Sequence, residues 1–196
     1  MPDPPHDYVS RGGLKLARGL DAFGIDPAGR VCCDLGCSTG GFTDVLLRRG
    51  ADRVYAVDTG YGVLDWRLRN DDRVVVMERT NAMHVELPEA VTLAVIDAGW
   101  TRQAKILPHV KTLLGRKGDV VTLVKPHYET DAAELRKTGG VLPAERLADV
   151  LAAVRADVAA AGFDWLGEVE SPITGSRGKN ARGNVEFLAH LGPAAP

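Results

Sequence analysis

Apolar residues in this chain follow two patterns that take turns, short unbroken runs and stretches in which they recur every three or four positions. The runs RVCCDLG, RVYAVDTG, RVVVMERT, VTLAVIDAG and DVVTLVKP predict buried strands, and the last two are nearly continuous, as expected of parallel strands covered on both faces. Ser10 is placed to cap a helix from Arg11 to Phe23, with Leu16, Leu20 and Phe23 at helical spacing and Gly24 as its stop. GFTDVLLRRG predicts a helix ending in Gly50, and residues 101–114 supply a crossover helix. After Pro143, the residues Leu147, Val150, Leu151, Val154 and Val158 form an apolar stripe that stops at Gly162. DWLGEVES and NVEFLAHLG predict two closing strands, an antiparallel pair across the loop from Pro172 to Gly183.

Strand and helix therefore alternate before a terminal strand pair, which predicts an open α/β sheet with helices on both faces. Sheets of this kind take their ligands beyond the carboxyl ends of the strands, where strand order reverses. The 196 residues and 21.0 kDa fit one domain, placed at residues 10–192, with loose tails at 1–9 and 193–196.

Composition narrows the function classes. Lys plus Arg total 24 against 26 Asp plus Glu, a formal charge of -2, so a polyanion would have to be held by a local patch. No apolar stretch approaches a membrane span and the N-terminus has no leader pattern, so a cytoplasmic protein without a membrane partner is expected. Cys32, Cys33 and Cys37 crowd together too closely to staple distant segments; reduced thiols are expected, and no metal site, since a fourth ligand is not supplied locally.

The chemistry-bearing signals lie at strand ends. Asp34 closes the first strand and opens D-L-G-C-S-T-G-G-F, where Gly36, Gly40 and Gly41 permit a tight turn and close approach of a ligand beside Ser38 and Phe42. Asp58 closes the second strand and suits the two hydroxyls of an adenosine ribose. Together they point to a nucleoside cofactor, with Asn81 placed to bond an adenine edge or to serve only as a turn residue. The G-x-G-x-x-G spacing of nicotinamide sites is absent, as is the Lys-Ser or Lys-Thr of a P-loop. A methyl donor with a sulfonium and a zwitterionic tail needs no pyrophosphate cradle and fits this turn better.

Asp97 and Lys125 occupy equivalent ends of the next two strands, Glu186 lies within an apolar strand where a carboxylate needs a partner, and Lys15 sits on the first helix. Two ammonium groups interleaved with two carboxylates near a methyl donor suit displacement by a ribose hydroxyl, with a neutral Lys125 taking the proton and Asp97, Glu186 and Lys15 positioning the nucleophile.

At this point a resemblance covers nearly the whole chain. YVSRGGLKL, CDLGCSTGGFTD, RVYAVDTGYG, LDWRLR, VVVMERTN, LVKPHYE, SPITG and GNVEFLAHLG occur in the order seen in the TlyA group of FtsJ-like ribosomal RNA 2'-O-methyltransferases, which the chain resembles. The resemblance implies a Rossmann-like methyltransferase fold, a mostly parallel seven-stranded sheet with a C-terminal antiparallel strand. It also implies S-adenosyl-L-methionine as cofactor and a catalytic tetrad at Lys15, Asp97, Lys125 and Glu186. By the same resemblance the cofactor loop maps to Asp34, Gly36, Ser38 and Gly40, the ribose-binding acid to Asp58, and Asn81 lies near the adenine. The expected reaction is methylation of a ribose 2'-hydroxyl in RNA, ribosomal RNA or a ribosomal subunit. The alternatives are a non-RNA acceptor or a catalytically silent protein that binds the cofactor or RNA.

Three departures from the family pattern alter the expectations. An S4 RNA-binding domain usually precedes the SRGGLKL helix, whereas nine residues precede Ser10, so its absence is expected. The usual D-V-S-F is replaced by DAGWTRQ, placing Trp100 and Arg102 toward the substrate, Trp100 either to stack a base or to cover the site. The loop before the last strand is long and basic, and Arg177, Lys179 and Arg182, with Arg11, Lys15 and Arg18, are candidate phosphate contacts.

Overall fold

The computed structural model describes residues 5–175 and 183–194. The elements are α1 (Gly12–Phe23), β1 (Val31–Leu35), α2 (Gly41–Arg48), β2 (Arg53–Val57), α3 (Trp66–Arg69), β3 (Val74–Met77), β4 (Val91–Ile96), α4 (Gln103–Leu113), β5 (Leu114–Val124), α5 (Pro126–Glu129), α6 (Ala132–Lys137), α7 (Leu147–Ala160), β6 (Phe163–Glu170) and β7 (Phe187–Pro193). The seven strands form one sheet in the order β3-β2-β1-β4-β5-β7-β6. All neighbouring pairs up to β5 are parallel, while β7 inserts antiparallel between β5 and β6. The expected seven-stranded, mostly parallel sheet is thus the one observed.

Alternation along the strands builds two cores. Cys32, Val54, Ala56, Leu93 and Val95 face Leu16 and Leu20 of α1, Phe42, Val45 and Leu46 of α2, and Leu68 of α3. Their immediate neighbours Cys33, Tyr55, Val57, Ala94 and Ile96 face Ile106, Leu107 and Val110 of α4 and Val150, Val154 and Val158 of α7. A period-two strand covered on both faces must be apolar at consecutive positions, which explains the unbroken runs. The three cysteines are free and buried, and burial pushes the Cys32 thiol up to about 12, so it carries no thiolate chemistry near neutral pH.

Order reverses between β1 and β4, and the carboxyl ends of these strands open the site. The strand ends are locked by their loops: Gly36 and Cys37 both donate their N–H to the Val57 carbonyl, at 2.9 and 3.0 Å, and Asp97 N–H donates to Leu35 O at 3.0 Å.

Several details differ from the sequence expectations. Helix α1 begins at Gly12 with Arg11 at its N-cap and no side-chain cap, so Ser10 does not perform that role; its carbonyl accepts from Gly13 N–H instead. The segment before α1 is pinned at Tyr8 and Val9: Val9 N–H donates to Asp44 at 2.9 Å, and Tyr8 lies where a Cβ on Gly13 would stand. Strand β5 starts at Leu114 rather than Asp119, with a register shift against β4 between Val91 and Leu93. At the other end β7 includes Pro193, and Ala194 N–H bonds Gly162 O at 3.1 Å.

Candidate active site

Two clefts open side by side at the carboxyl ends of the strands, and Gly36, Ser38, Asp97 and Lys125 line both. One, of about 430 Å³, is bounded by Asp58, Asn81, Met83 and Ile106. The other, of about 330 Å³, is bounded by Arg11, Lys15, Phe42, His127, Tyr128 and Glu186. The shared wall is where groups held in the two clefts would meet.

The nucleoside-like cleft is shaped by side chains fixed to nearby backbone. Asp58 accepts from Ser38 N–H at 2.9 Å with one oxygen and from Gly60 N–H at 2.7 Å with the other. A carboxylate oxygen has two lone-pair sites, so both oxygens retain acceptor capacity for a ribose diol. Asn81 accepts from Met83 N–H at 2.9 Å, which turns the chain and leaves its amide N–H groups for an adenine edge. Gly36 has φ 90, and a Cβ there would stand 2.8 Å from the Asp97 carbonyl oxygen. The turn can therefore close against β4 only with glycine at this position.

Asp34 lies beneath the cleft rather than in its wall. It is fully buried, and its Oδ2 accepts from Thr43 N–H at 2.9 Å and Thr43 Oγ1 at 2.6 Å, clamping the start of α2 to the end of β1. Its Oδ1 has no partner among the described residues. Burial raises its pKa to about 7, against the lowering effect of the Thr43 hydroxyl. Gly40 likewise lines neither cleft; it sits at φ 99 against Leu64 and Leu68. Gly41 and Phe42 line the second cleft.

The second cleft holds the four charged residues singled out in the sequence. Lys15 Nζ donates to Glu186 Oε2 at 2.5 Å, with the two residues only 6% and 3% exposed. Lys125 Nζ donates to Asp97 Oδ1 in a second, less buried pair. Glu186 lies one position before β7 rather than inside it, and its Oε1 occupies the space a Cβ on Gly175 would need. Desolvating Lys15 and Glu186 opposes stability unless they are paired, so the pair adds little net stability while the loss of either partner would be costly.

Other sequence expectations resolve differently. Trp100 is 85% exposed, has φ 59, and stacks on Tyr128 with ring centroids 4.6 Å apart. Arg102 N-caps α4, and its guanidinium donates to Thr130 O at 3.1 Å. Arg11 lines the second cleft and Arg18 is exposed on α1, whereas Arg177, Lys179 and Arg182 lie outside the described residues. The sequence reading did not single out Thr43, His127 or Tyr128. The last two lie two and three positions after Lys125 in K-P-H-Y-E, so a lysine at a strand end was itself the signal that its successors would border the site. Among the described residues no cluster of His, Cys, Asp or Glu could hold a metal ion, and no helix is long and apolar enough to cross a membrane.

A parallel sheet reversing at β1/β4, a glycine turn after β1 and an acid closing β2 give the Rossmann-like methyltransferase fold, and the FtsJ-like family match makes it a methyltransferase that uses S-adenosylmethionine. Residues 8–189 match the FtsJ-like methyltransferase family, and the chain belongs to that family. It is 45% identical over 195 residues to the 16S/23S rRNA (cytidine-2'-O)-methyltransferase TlyA of Mycobacterium tuberculosis, covering 96% of this chain and 70% of that protein. YqxC of Bacillus subtilis (strain 168), named as an rRNA methyltransferase, is 43% identical over 194 residues, 95% of this chain and 66% of that protein. A solved structure of a Streptococcus thermophilus protein named as a hemolysin superposes with TM-score 0.90 at 39% identity, covering 97% of this chain and 69% of that one. The chain thus spans about two thirds of the length of the curated relatives it matches.

The residues present fit the cofactor. A carboxylate for the ribose, an amide for the base edge and the apolar flank of Val57, Met83 and Ile106 are the donor set a nucleoside needs. Asp58 and Asn81 would hold the adenosine, and the Gly36–Ser38 turn would bring the remainder to the shared wall.

Proposed function

We propose that this chain transfers a methyl group from S-adenosylmethionine to a ribose 2'-hydroxyl of RNA, ribosomal RNA being the class named for its relatives. The carrying observation is the pair of lysine–carboxylate contacts, Lys15 with Glu186 and Lys125 with Asp97, that line one cleft beside the nucleoside-like cleft. A reaction on ribosomal RNA belongs in the cytoplasm, where we place the chain.

The cofactor supplies an electrophilic methyl on a sulfonium, and the electron pair of the broken carbon–sulfur bond stays on sulfur. The chain's own residues supply the rest. Lys125, in its neutral form, takes the hydroxyl proton as the new carbon–oxygen bond forms. Asp97 holds the Lys125 amine at the shared wall, and the Lys15–Glu186 pair positions the hydroxyl from the α1 side. Such acid–base assistance contributes about 10²–10⁴ in rate.

The test is transfer of labelled methyl from S-adenosylmethionine to separately supplied ribosomal subunits and naked ribosomal RNA, by wild type and Lys125→Ala. Lysine-dependent label on a ribose hydroxyl is expected. No label on either pool, with cofactor binding demonstrated, would overturn the RNA assignment in favour of another acceptor or a silent protein.

A further inference from the structure

His127 is the cleft's one imidazole, and no step above uses it. It stands two residues after Lys125, on the four-residue helix α5 that leads away from the end of β5. Its ring is fixed against Tyr128, with centroids 4.2 Å apart and planes tilted by 53°. Its Nδ1 is buried with no hydrogen-bond partner among the described residues. The remaining nitrogen, Nε2, is the one a ligand in the cleft can reach.

The charges around the ring decide its protonation. Burial first, then Lys125, then Lys15, lowers the His127 pKa to about 4, while Asp97 and Glu186 on the same cleft are each engaged by a lysine. At neutral pH the ring is uncharged and carries one proton. A buried nitrogen without a partner is better left as a bare lone pair than as an orphaned N–H, since unsatisfied buried donors are the rarer case. That places the proton on Nε2.

We infer that His127 presents its Nε2–H to the acceptor-side cleft and there binds an oxygen of the incoming nucleotide, its ribose or its phosphate. The inference rests on the RNA reading above. It adds an uncharged donor to a cleft already lined by the cations Arg11, Lys15 and Lys125, so the nucleotide gains a grip without a further positive charge that would disfavour proton transfer to Lys125.

Two variants separate binding from packing. His127→Phe keeps a ring against Tyr128 and removes both nitrogens, whereas His127→Gln keeps a donor. With S-adenosylmethionine saturating, the Phe variant is expected to raise KM for RNA about tenfold, the factor for one lost hydrogen bond. Its kcat should stay within about threefold and its Kd for S-adenosylhomocysteine should be unchanged. The Gln variant should remain near wild type, and the Phe variant should melt no lower than wild type, since it removes an unsatisfied buried nitrogen. A wild-type KM in the Phe variant, or a fall in Tm that accounts for the defect, would overturn the inference.

A second measurement does not require turnover. Long-range proton–nitrogen spectra of histidine-labelled protein should show His127 as the uncharged Nε2–H form from pH 8 down to about 5, and the signal should move when a short RNA is added. A charged ring or an Nδ1–H form sinks the inference even if RNA is methylated. Should wild type methylate no RNA, the RNA assignment fails by itself, and the spectrum in the free protein still decides whether the donor is presented.

Discussion

On the nucleoside side of the site, each polar group is fixed by nearby or neighbouring-loop backbone. Asp58 is held by Gly60 and Ser38, Asn81 by Met83, and Asp34 beneath them by Thr43. On the acceptor side, charged side chains hold one another across the fold: Lys15 and Glu186 are 171 positions apart, and Lys125 and Asp97 are 28 apart. The first half is organised by loops that turn almost regardless of the rest. The Lys15–Glu186 pair exists only when β7 has inserted beside β5, and the Lys125–Asp97 pair only when β4 and β5 lie side by side, so this chemistry and the assembly of the sheet share groups.

The largest expected effect tests the chemical half of this contrast. Lys125→Ala should lower kcat for methyl transfer by about 10²–10⁴-fold, read by label incorporation. Its Kd for S-adenosylhomocysteine, read by calorimetry, should change little, because Asp58 and Asn81 are untouched. A matching loss of cofactor affinity would mean the two halves are not separable.

Next in size is the buried pair. Lys15→Met leaves Glu186 buried and unpaired and should destabilise the fold by about 3–5 kcal/mol, whereas the double replacement Lys15→Met, Glu186→Met should recover most of that loss. Both proteins should be inactive. Urea unfolding of the two variants measures the difference, and equal instability would mean the pair is a structural requirement.

Asp34 gives a smaller, pH-dependent effect. Its folded pKa, about 7, lies above the ordinary carboxylate value of 3.8, so between roughly pH 4 and 7 the folded state binds more protons than the unfolded state. Stability from this group is therefore present at low pH and lost as pH rises through 7. Asp34→Asn should stabilise the protein at pH 8 relative to pH 4, by an amount on the order of a few kcal/mol at most. The opposing contribution of His127, whose folded pKa is depressed, is common to both proteins and cancels in the comparison. A ΔΔG that does not depend on pH would show that Asp34 stays ionised against Thr43.

The same contrast explains what could be read from the chain. The strands were legible because a sheet covered on both faces leaves no room for charged residues in Val54–Val57 or Leu93–Ile96. The nucleoside side was legible because its groups lie at strand ends within one turn of chain. Helices α3, α5 and α6, of four to six residues, are too short to show a helical period, and so went unread. The pairing of Lys15 with Glu186 had a one-sided signal: a carboxylate beside an apolar strand needs a partner, but no spacing singled out Lys15, 171 positions away, as that partner. Asp34 shows the converse limit. Its position marked it as a candidate cofactor ligand, and its Oδ2 holds the start of α2 through Thr43 as well, a second role that no spacing in the sequence announces.

Trp100 should give the smallest effect, and it tests whether the two halves are coupled. It lines the nucleoside-like cleft, and its stacking partner Tyr128 lines the other. A bulky residue at φ 59 stores about 1–2 kcal/mol, while the aromatic stack returns about 0.5–1.5 kcal/mol. Trp100→Ala loses the stack and keeps the strain, so it should be slightly less stable than wild type. Trp100→Gly loses the stack but relieves the strain, at an entropic cost of about 0.5–1 kcal/mol, and should fall within about 1 kcal/mol of wild type. Urea midpoints in the order wild type or Gly above Ala would show a stack that holds a strained turn across the junction of the clefts. Ala above Gly would show that the turn adopts another backbone once the ring is gone, and that the stack joins nothing.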